Sequence, residues 1–295
     1  PPSTGKTIGS CVERVDARGK MTGALEYAAD MEMPRMLHIH LVRSKEVHAE
    51  ILKIDYEKAL EMPGVETVIT SEDVPGEDRF GVYYHDQPVL AKGKIRFYGE
   101  PVVAIVAETL EDAEEAEKGV EITYKKLPVV SNIQEAIECK AVLHEDHPDN
   151  IVSTTCVQKG NVEEGFKSSE IIIEKDFSTQ AVDHAYLETE AGISYCDPDG
   201  TIVVKSCDQD ITHHRVLLAK ILGMAINKVR VIMSPVGGGF GGKEVMIYQA
   251  ILAIATLKTN QPVKLVFSRE DSMIGSCKRH PVTMHYKIGL KSDGK

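Results

Sequence analysis

A run of glycines interrupted by one aromatic residue is the most unusual feature of this sequence. The segment SPVGGGFGGKE (234–244) contains five glycines, Phe240 and the pair Lys243-Glu244. Because glycine has no Cβ atom, the backbone amides of such a loop can approach a large flat ligand or an anion closely. Residues 243–259 have the apolar composition of a buried helix, so we expect the loop to lead into a helix N-terminus with Glu244 in its first turn. A tight turn with close strand–helix packing is the alternative use of these glycines.

The loop matches two nucleotide-binding motifs only in part. It contains G-x-G-x-x-G, and the run from Gly237 to Lys243 satisfies G-x-x-x-x-G-K. A phosphate-binding loop continues with Ser or Thr, whereas Glu244 stands there and would repel phosphate. A dinucleotide site needs an acidic residue about 20 residues further on, and Glu270 lies too far along the chain. A non-catalytic nucleotide-binding module therefore stays as an alternative from a different functional class.

A strand–helix–strand pattern places a polar side chain beside this loop. The sequence predicts strands at 201–207 and 228–236, with a helix at 211–223 between them. If the two strands are parallel neighbours, their carboxyl ends meet at one sheet edge, which is where open α/β folds bind ligands. Gln209 follows the first strand and Phe240 follows the second. We therefore expect these two residues to be close in space.

The remaining pattern predicts two domains joined by a connector. Residues 8–130 mix strands and helices in a compact α/β domain, residues 131–150 form the connector, and residues 151–295 form the second domain. The second domain includes a hairpin at 191–207, with its turn at Asp197-Pro198-Asp199-Gly200.

Composition excludes several functional classes. The 295 residues are 42% hydrophobic and 27% charged, with a formal net charge of −11. Such an acidic chain is a poor partner for nucleic acid or anionic membranes. The sequence contains no run of 18 apolar residues, so we expect no membrane span. The six cysteines form no Cys-x-x-Cys pair, which argues against an iron–sulfur or zinc site carried by this chain alone and predicts reduced thiols in a cytoplasmic protein.

Several segments in order carry a family resemblance. GGGFGGKE together with SCDQD (206–210) resembles the molybdenum-binding subunit of the xanthine dehydrogenase and aldehyde oxidase family of molybdenum hydroxylases. VDARGKMTGALEYAADMEMPRML and KIRFYGEPVVAIVAET are similar to the α/β hammerhead domain of that family, and DHAYLETEAGISYCDPDG is similar to the start of its molybdopterin-binding domain. The resemblance implies an α+β fold, with a hammerhead domain followed by the first part of a molybdopterin-binding α/β domain.

The resemblance also implies roles for residues around the loop. Gln209 matches the glutamine that contacts the oxygen ligand of the molybdenum centre, and Phe240 matches the residue whose backbone lies beside the metal. The positions that line the pterin match Gly238, Gly239, Phe240 and Gly241.

The substrate expectation depends on one acidic residue. Glu244 matches the glutamate that hydrogen-bonds the heteroaromatic substrate in purine-oxidising members. We therefore expect hydroxylation of a purine or related N-heteroaromatic compound with water as the oxygen source, with aldehyde oxidation as the alternative within the family. No catalytic residue is assigned, because the general-base glutamate of the family is expected beyond residue 295. Glu188 and Glu190 are interpreted as partly exposed structural acids.

The implied cofactor is a molybdenum–molybdopterin group, whose cytosine dinucleotide form is left open. Iron–sulfur clusters and FAD are expected on partner chains. The remaining half of the molybdopterin-binding region is expected in further polypeptide or a partner subunit, so we expect the 295-residue chain to be inactive by itself.

Overall fold

The computed structural model describes residues 11–294. Residues 8–10 of the first predicted domain and the last residue of the second lie outside this range. In chain order, the strands are β1 (Leu37–Arg43), β2 (Ala49–Asp55), β3 (Val65–Ile69), β4 (Arg79–Phe80), β5 (Gln87–Pro88), β6 (Lys94–Ile95), β7 (Pro101–Ala107), β8 (Glu121–Lys126), β9 (Ile171–Thr179), β10 (Ala191–Cys196), β11 (Ile202–Ser206), β12 (Val229–Met233), β13 (Val263–Val266) and β14 (Val282–Leu290). The α-helices are α1 (Ala17–Thr22), α2 (Glu57–Leu60), α3 (Leu110–Ala116), α4 (Ile133–Ile137), α5 (Val162–Lys167), α6 (Ile211–Ile221), α7 (Gln249–Thr259) and α8 (Arg269–Gly275).

A mixed seven-stranded sheet joins the two halves of the chain. Its strand order is β12-β11-β10-β13-β1-β7-β3. Strand β1 pairs in parallel with β13, which brings His38 opposite Lys264. Strand β7 is buried along its whole length, as its β-branched and alanine composition predicts. Smaller sheets are formed by β6-β2-β8, β14-β9 and β4-β5.

The elements that flank the site follow the sequence pattern. Strands β10 and β11 form the predicted antiparallel hairpin, and β11 pairs in parallel with β12, with Ser206 opposite Met233. Helix α6 starts where the Asp210 side chain accepts a hydrogen bond from the backbone N–H of His213. It is followed by Gly223 with a φ of 60°, a left-handed conformation that glycine adopts readily. The predicted parallel pairing is therefore confirmed.

The predicted helix over 243–259 is wrong in its first turn and a half. Helix α7 begins at Gln249, and residues 243–248 form a series of turns. The Gln249 side-chain oxygen accepts the backbone N–H groups of Ile247 and Tyr248 at 3.0 and 3.1 Å, which stabilises the non-helical path into the helix. The glycine loop therefore does not lead directly into a helix N-terminus, and Glu244 does not lie in a first helical turn.

Helix α7 is the central helix of the larger hydrophobic core. Its residues 249–256 are all buried, and it packs against strands β10 and β11. Among the residues that the structure describes, no helix is long and apolar enough to cross a membrane. The sheet and α7 together form the rigid support on which the polar loops at the sheet edge are held.

Candidate functional site

Gln209 joins the end of β11 to the glycine loop. Its side-chain Oε1 accepts hydrogen bonds from the backbone N–H groups of Gly241 and Lys243, at 3.2 and 3.1 Å. Its own backbone N–H donates to the Lys243 carbonyl at 3.1 Å. Three hydrogen bonds therefore fix the loop, which follows β12, to Gln209, which follows β11. The parallel pairing of the two strands predicts this contact.

The orientation of the Gln209 amide follows from these bonds. Two backbone N–H donors point at one end of the amide, so that end must be the oxygen. The other end is the NH2 group, which makes no hydrogen bond within residues 11–294. Gln209 is exposed, so this group is accessible to another molecule. The site therefore offers a rigidly held hydrogen-bond donor beside the loop.

The loop backbone is shaped by close contacts with its neighbours. A Cβ atom on Gly239 would lie 2.3 Å from Gln209 Oε1, so any other residue there would displace the Gln209 amide. Gly241 has a φ of 88° and open space where its side chain would be. Phe240, between them, has a φ of 52° and is 74% exposed. A left-handed conformation costs a residue with a side chain about 1–2 kcal/mol, and such strain concentrates at functional sites.

A buried lysine lies beneath the loop. Lys243 is 3% exposed, and its Nζ donates to the Glu188 side chain and to the Glu188 carbonyl, both at 2.9 Å. The ammonium group also lies 4.7 Å from the centre of the Tyr186 ring. Glu188 in turn accepts the backbone N–H of Gly237 at 2.7 Å. The charge of Lys243 is therefore used to tie both ends of the loop to one carboxylate.

Glu244 is the one acidic side chain of the loop segment. Its backbone carbonyl accepts a hydrogen bond of 2.8 Å from His214 Nε2. Its side chain is exposed, and its carboxylate has no hydrogen bond or ion pair within the described range. The backbone of Glu244 is thus fixed while its carboxylate is available to another molecule.

Glu190 differs from the sequence expectation. It is 1% exposed rather than partly exposed, and it accepts a hydrogen bond from the Tyr186 hydroxyl. Burial raises the pKa of Tyr186, and the Glu190 carboxylate raises it further, so the hydroxyl stays protonated and donates. Glu188, by contrast, keeps a partly exposed side chain. Both acids have structural contacts, as expected, but Glu190 belongs to the interior.

Two family models together cover most of the chain. Residues 22–128 match the aldehyde oxidase and xanthine dehydrogenase a/b hammerhead domain. Residues 143–295, more than half of the chain, match the molybdopterin cofactor-binding domain. The chain belongs to the xanthine dehydrogenase and aldehyde oxidase family of molybdenum hydroxylases. The predicted fold, a hammerhead domain followed by the first part of a molybdopterin-binding domain, is thereby confirmed.

Similar molybdenum hydroxylases include proteins with different names and lengths. A probable xanthine dehydrogenase subunit from Bacillus subtilis (strain 168) is 38% identical over 95% of this chain, which spans 38% of that protein. The nicotinate dehydrogenase large molybdopterin subunit of Eubacterium barkeri is 36% identical over 98% of this chain, which spans 68% of that subunit. The aldehyde oxidoreductase structure from Desulfovibrio gigas has a TM-score of 0.90 and 29% identity, covering 95% of this chain and 32% of its own.

The structure brings the predicted site residues of this chain together. Gln209, the glycines and Phe240 lie in one hydrogen-bonded unit, and Glu244 adjoins it. Their roles toward a cofactor or substrate stay predictions. Sequence reasoning missed the contacts of Lys243 with Glu188, which is 55 positions away. The signal that was present is the apolar stretch at 245–248 next to Lys243. A lysine in such a buried environment is expected to have a charged partner.

Sequence reasoning also left His214 without a specific role. For the His213-His214 pair, the sequence predicts only a surface or packing function. His214 is completely buried and contacts Asp208 and Glu244, whereas its neighbour His213 is half-buried.

Proposed function

We propose that this chain forms part of the molybdenum-cofactor site of a hydroxylase that oxidises a purine or related N-heteroaromatic compound with water as the oxygen source. The observation that carries the proposal is the exposed carboxylate of Glu244, which has no partner among residues 11–294, next to a loop fixed to Gln209. A carboxylate at this place suits a substrate with ring N–H groups or basic nitrogens. A plain aldehyde offers it no comparable partner.

The residues present fit a molybdenum–molybdopterin cofactor. Gln209 offers a free amide N–H toward an oxygen atom of the cofactor, and the glycines at 238, 239 and 241, with Phe240 between them, offer backbone rather than bulky side chains to the pterin. Within residues 11–294 no group of three His, Cys, Asp or Glu side chains is arranged to hold a metal ion. A metal at this loop would therefore need the ligands that a pterin cofactor brings with it. When bound, the group supplies a two-electron oxidant and activates water.

The residues of this chain would bind and orient rather than transfer protons. Gln209 would donate a hydrogen bond to the cofactor from a fixed position, which favours charge development without reorganisation. Glu244 would orient the heteroaromatic ring and stabilise positive character on its nitrogens. Lys243 is committed to Glu188 and is not a candidate base. We assign the general base to polypeptide outside these 295 residues.

The completed enzyme would include other polypeptide. The chain spans between about a third and two thirds of the three relatives described above, and two of those relatives are named as subunits. We propose that the rest of the molybdopterin-binding region, iron–sulfur clusters and FAD are supplied outside this segment, the latter two on partner chains. The cytosine dinucleotide form and the cytoplasmic location stay predictions.

Two observations count against the nucleotide-binding alternative. A phosphate-binding loop presents its lysine to the phosphates and leads into a helix. Here Lys243 is buried against Glu188, and the loop leads into turns rather than a helix.

The aldehyde alternative is favoured by the similarity to the aldehyde oxidoreductase of Desulfovibrio gigas. The quinoline 2-oxidoreductase of Pseudomonas putida 86, at 27% identity and a TM-score of 0.90, favours the N-heteroaromatic class equally.

Replacement of Glu244 by alanine tests the substrate class. In the assembled enzyme, we expect Glu244→Ala to lower kcat/KM for an N-heteroaromatic substrate, because a polar group of the substrate loses its partner. The loss should correspond to an increase of roughly 1–3 kcal/mol in the activation free energy. Oxidation of benzaldehyde should change little. Steady-state kinetics with a purine, nicotinate and benzaldehyde would measure both effects.

Glu244→Gln provides the matched control for this experiment. It keeps the length of the side chain and one acceptor oxygen but removes the charge, so we expect an intermediate loss on the N-heteroaromatic substrates. Equal losses on all three substrates in Glu244→Ala would contradict the assignment and give Glu244 a structural role.

A further inference from the structure

Three buried polar side chains lie beneath the segment that carries Glu244. Asp208 and His214 have no exposed surface, and Gln249 is 2% exposed. His214 Nδ1 lies 2.8 Å from Asp208 Oδ2. Burial of such groups is unfavourable unless their hydrogen bonds are made, so the partners of each atom indicate what the cluster does.

Asp208 is surrounded by hydrogen-bond donors. Its Oδ1 accepts the backbone N–H of Asp210 at 2.9 Å, and its Oδ2 accepts the Ser206 hydroxyl at 3.3 Å and the Gln249 amide at 3.4 Å. Both oxygens of the Asp208 carboxyl group therefore act as acceptors. The group can accept a further N–H from the imidazole of His214.

The two ring nitrogens of His214 both face acceptors. Nε2 lies 2.8 Å from the carbonyl oxygen of Glu244, which can only accept, and Nδ1 faces the Asp208 carboxyl group. Nε2 must carry a proton to satisfy its contact with the carbonyl oxygen, and Nδ1 can donate to Asp208 when it is protonated as well. Burial lowers the pKa of His214, but the hydrogen bond and charge of Asp208 outweigh it and raise the pKa above its usual value.

The cluster fixes both ends of the non-helical segment 244–248, which begins with Glu244. His214 holds the carbonyl of Glu244 at one end, and Gln249 holds the N–H groups of residues 247 and 248 at the other. The His214 and Gln249 side chains are both hydrogen-bonded to Asp208, which directly precedes Gln209. The position of Glu244 relative to Gln209 is thus set through Asp208 and His214.

We propose that His214 is a positioning residue for substrate specificity: its hydrogen bond to the Glu244 carbonyl fixes the backbone from which the substrate-binding carboxylate projects. The inference rests on the proposed role of Glu244. His214 touches neither substrate nor cofactor, so it acts only through Glu244.

Two substitutions at His214 separate its two hydrogen bonds. His214→Asn retains a donor near the Nδ1 position, toward Asp208, and removes the donor to Glu244. His214→Gln retains a donor near the Nε2 position, toward Glu244. His213→Gln, at the half-buried neighbouring histidine, is the matched control.

In the assembled holoenzyme, we expect His214→Asn to lower kcat/KM for the N-heteroaromatic substrate about tenfold, the size expected when one buried hydrogen bond goes unmade. The value for benzaldehyde and the molybdenum content should stay close to those of the wild type. We expect His214→Gln to restore most of the loss and His213→Gln to show none. Amide hydrogen exchange over residues 244–248 should become faster in the Asn variant only.

A double variant distinguishes failure of this inference from failure of the proposed function. If His214 acts through Glu244, His214→Asn should cause no further loss in a Glu244→Ala background. Additive losses, or equal losses on both substrate classes in His214→Asn while Glu244→Ala is selective, would overturn the positioning role alone. An unselective loss in Glu244→Ala would overturn the proposed function, and the inference with it. If His214→Asn does not assemble, unaltered exchange and selectivity in His214→Phe, which lacks both donors, would overturn the inference.

Discussion

Replacement of Gln209 by alanine is expected to lower kcat of the assembled enzyme by about 10²–10³, the effect typical of losing one hydrogen-bond donor that stabilises a transition state. Gln209 Oε1 is occupied by the N–H groups of Gly241 and Lys243, so the NH2 group is the part available to the cofactor. The measurement is kcat per molybdenum, with the metal content of each preparation determined in parallel.

Gln209→Glu separates the structural and catalytic contributions of this side chain. Glutamate keeps an oxygen that can accept the two loop N–H groups, but it has no N–H donor to replace the amide. We therefore expect Gln209→Glu to retain the loop conformation and molybdenum while losing as much kcat as Gln209→Ala. Wild-type turnover at full molybdenum occupancy in either variant would rule out the assigned role.

Replacement of Gly239 by alanine is expected to cause a loss of kcat at least as large as that of Gln209→Ala. In the structure, the new Cβ would meet the side chain of Gln209, with the nearest atoms at 2.3 and 2.6 Å, so the amide must move and release the N–H groups of the loop. Gly165→Ala is a matched control, because a Cβ there meets no atom within 4 Å.

A double variant tests this explanation of Gly239. Gln209→Ala removes the amide atoms that the new Cβ at position 239 would meet. The double variant should therefore lose no more activity than Gln209→Ala alone, which is a strongly non-additive result. Additive losses would show that the Cβ obstructs the cofactor itself.

The sequence predicted the juxtaposition of Gln209 and the glycine loop because local patterns were sufficient. A strand, a capped helix and a second strand define a right-handed crossover, and this unit alone brings residues 209 and 240 to one edge. The pairing of β1 with β13 joins residues more than two hundred positions apart, and one sequence contains no signal for it.

The helix predicted over residues 243–248 was wrong for the same reason, because contacts between residues distant in the sequence decide the structure there. Their apolar composition continues into α7, so local propensity favours a longer helix. The turns are stabilised instead by buried polar contacts from Glu188 and His214, together with Gln249 at the start of the helix. Tertiary contacts of this kind override propensity, and they cannot be inferred from spacing. The orientation of Glu244 therefore had to come from the structure.

The central claim is that the loop at 237–242 holds a molybdenum–pterin cofactor. The most direct test is metal and cofactor analysis of the native complex that contains this chain, purified without added cofactor. We predict molybdenum and a pterin in equal amounts, both sharply reduced in Gly241→Val, whose side chain would enter the open space beside the loop. They should not fall in Gly160→Val, where the backbone has the same left-handed conformation and the same open space outside the loop. A complex that contains bound ATP or NAD, and neither molybdenum nor pterin, would contradict the claim.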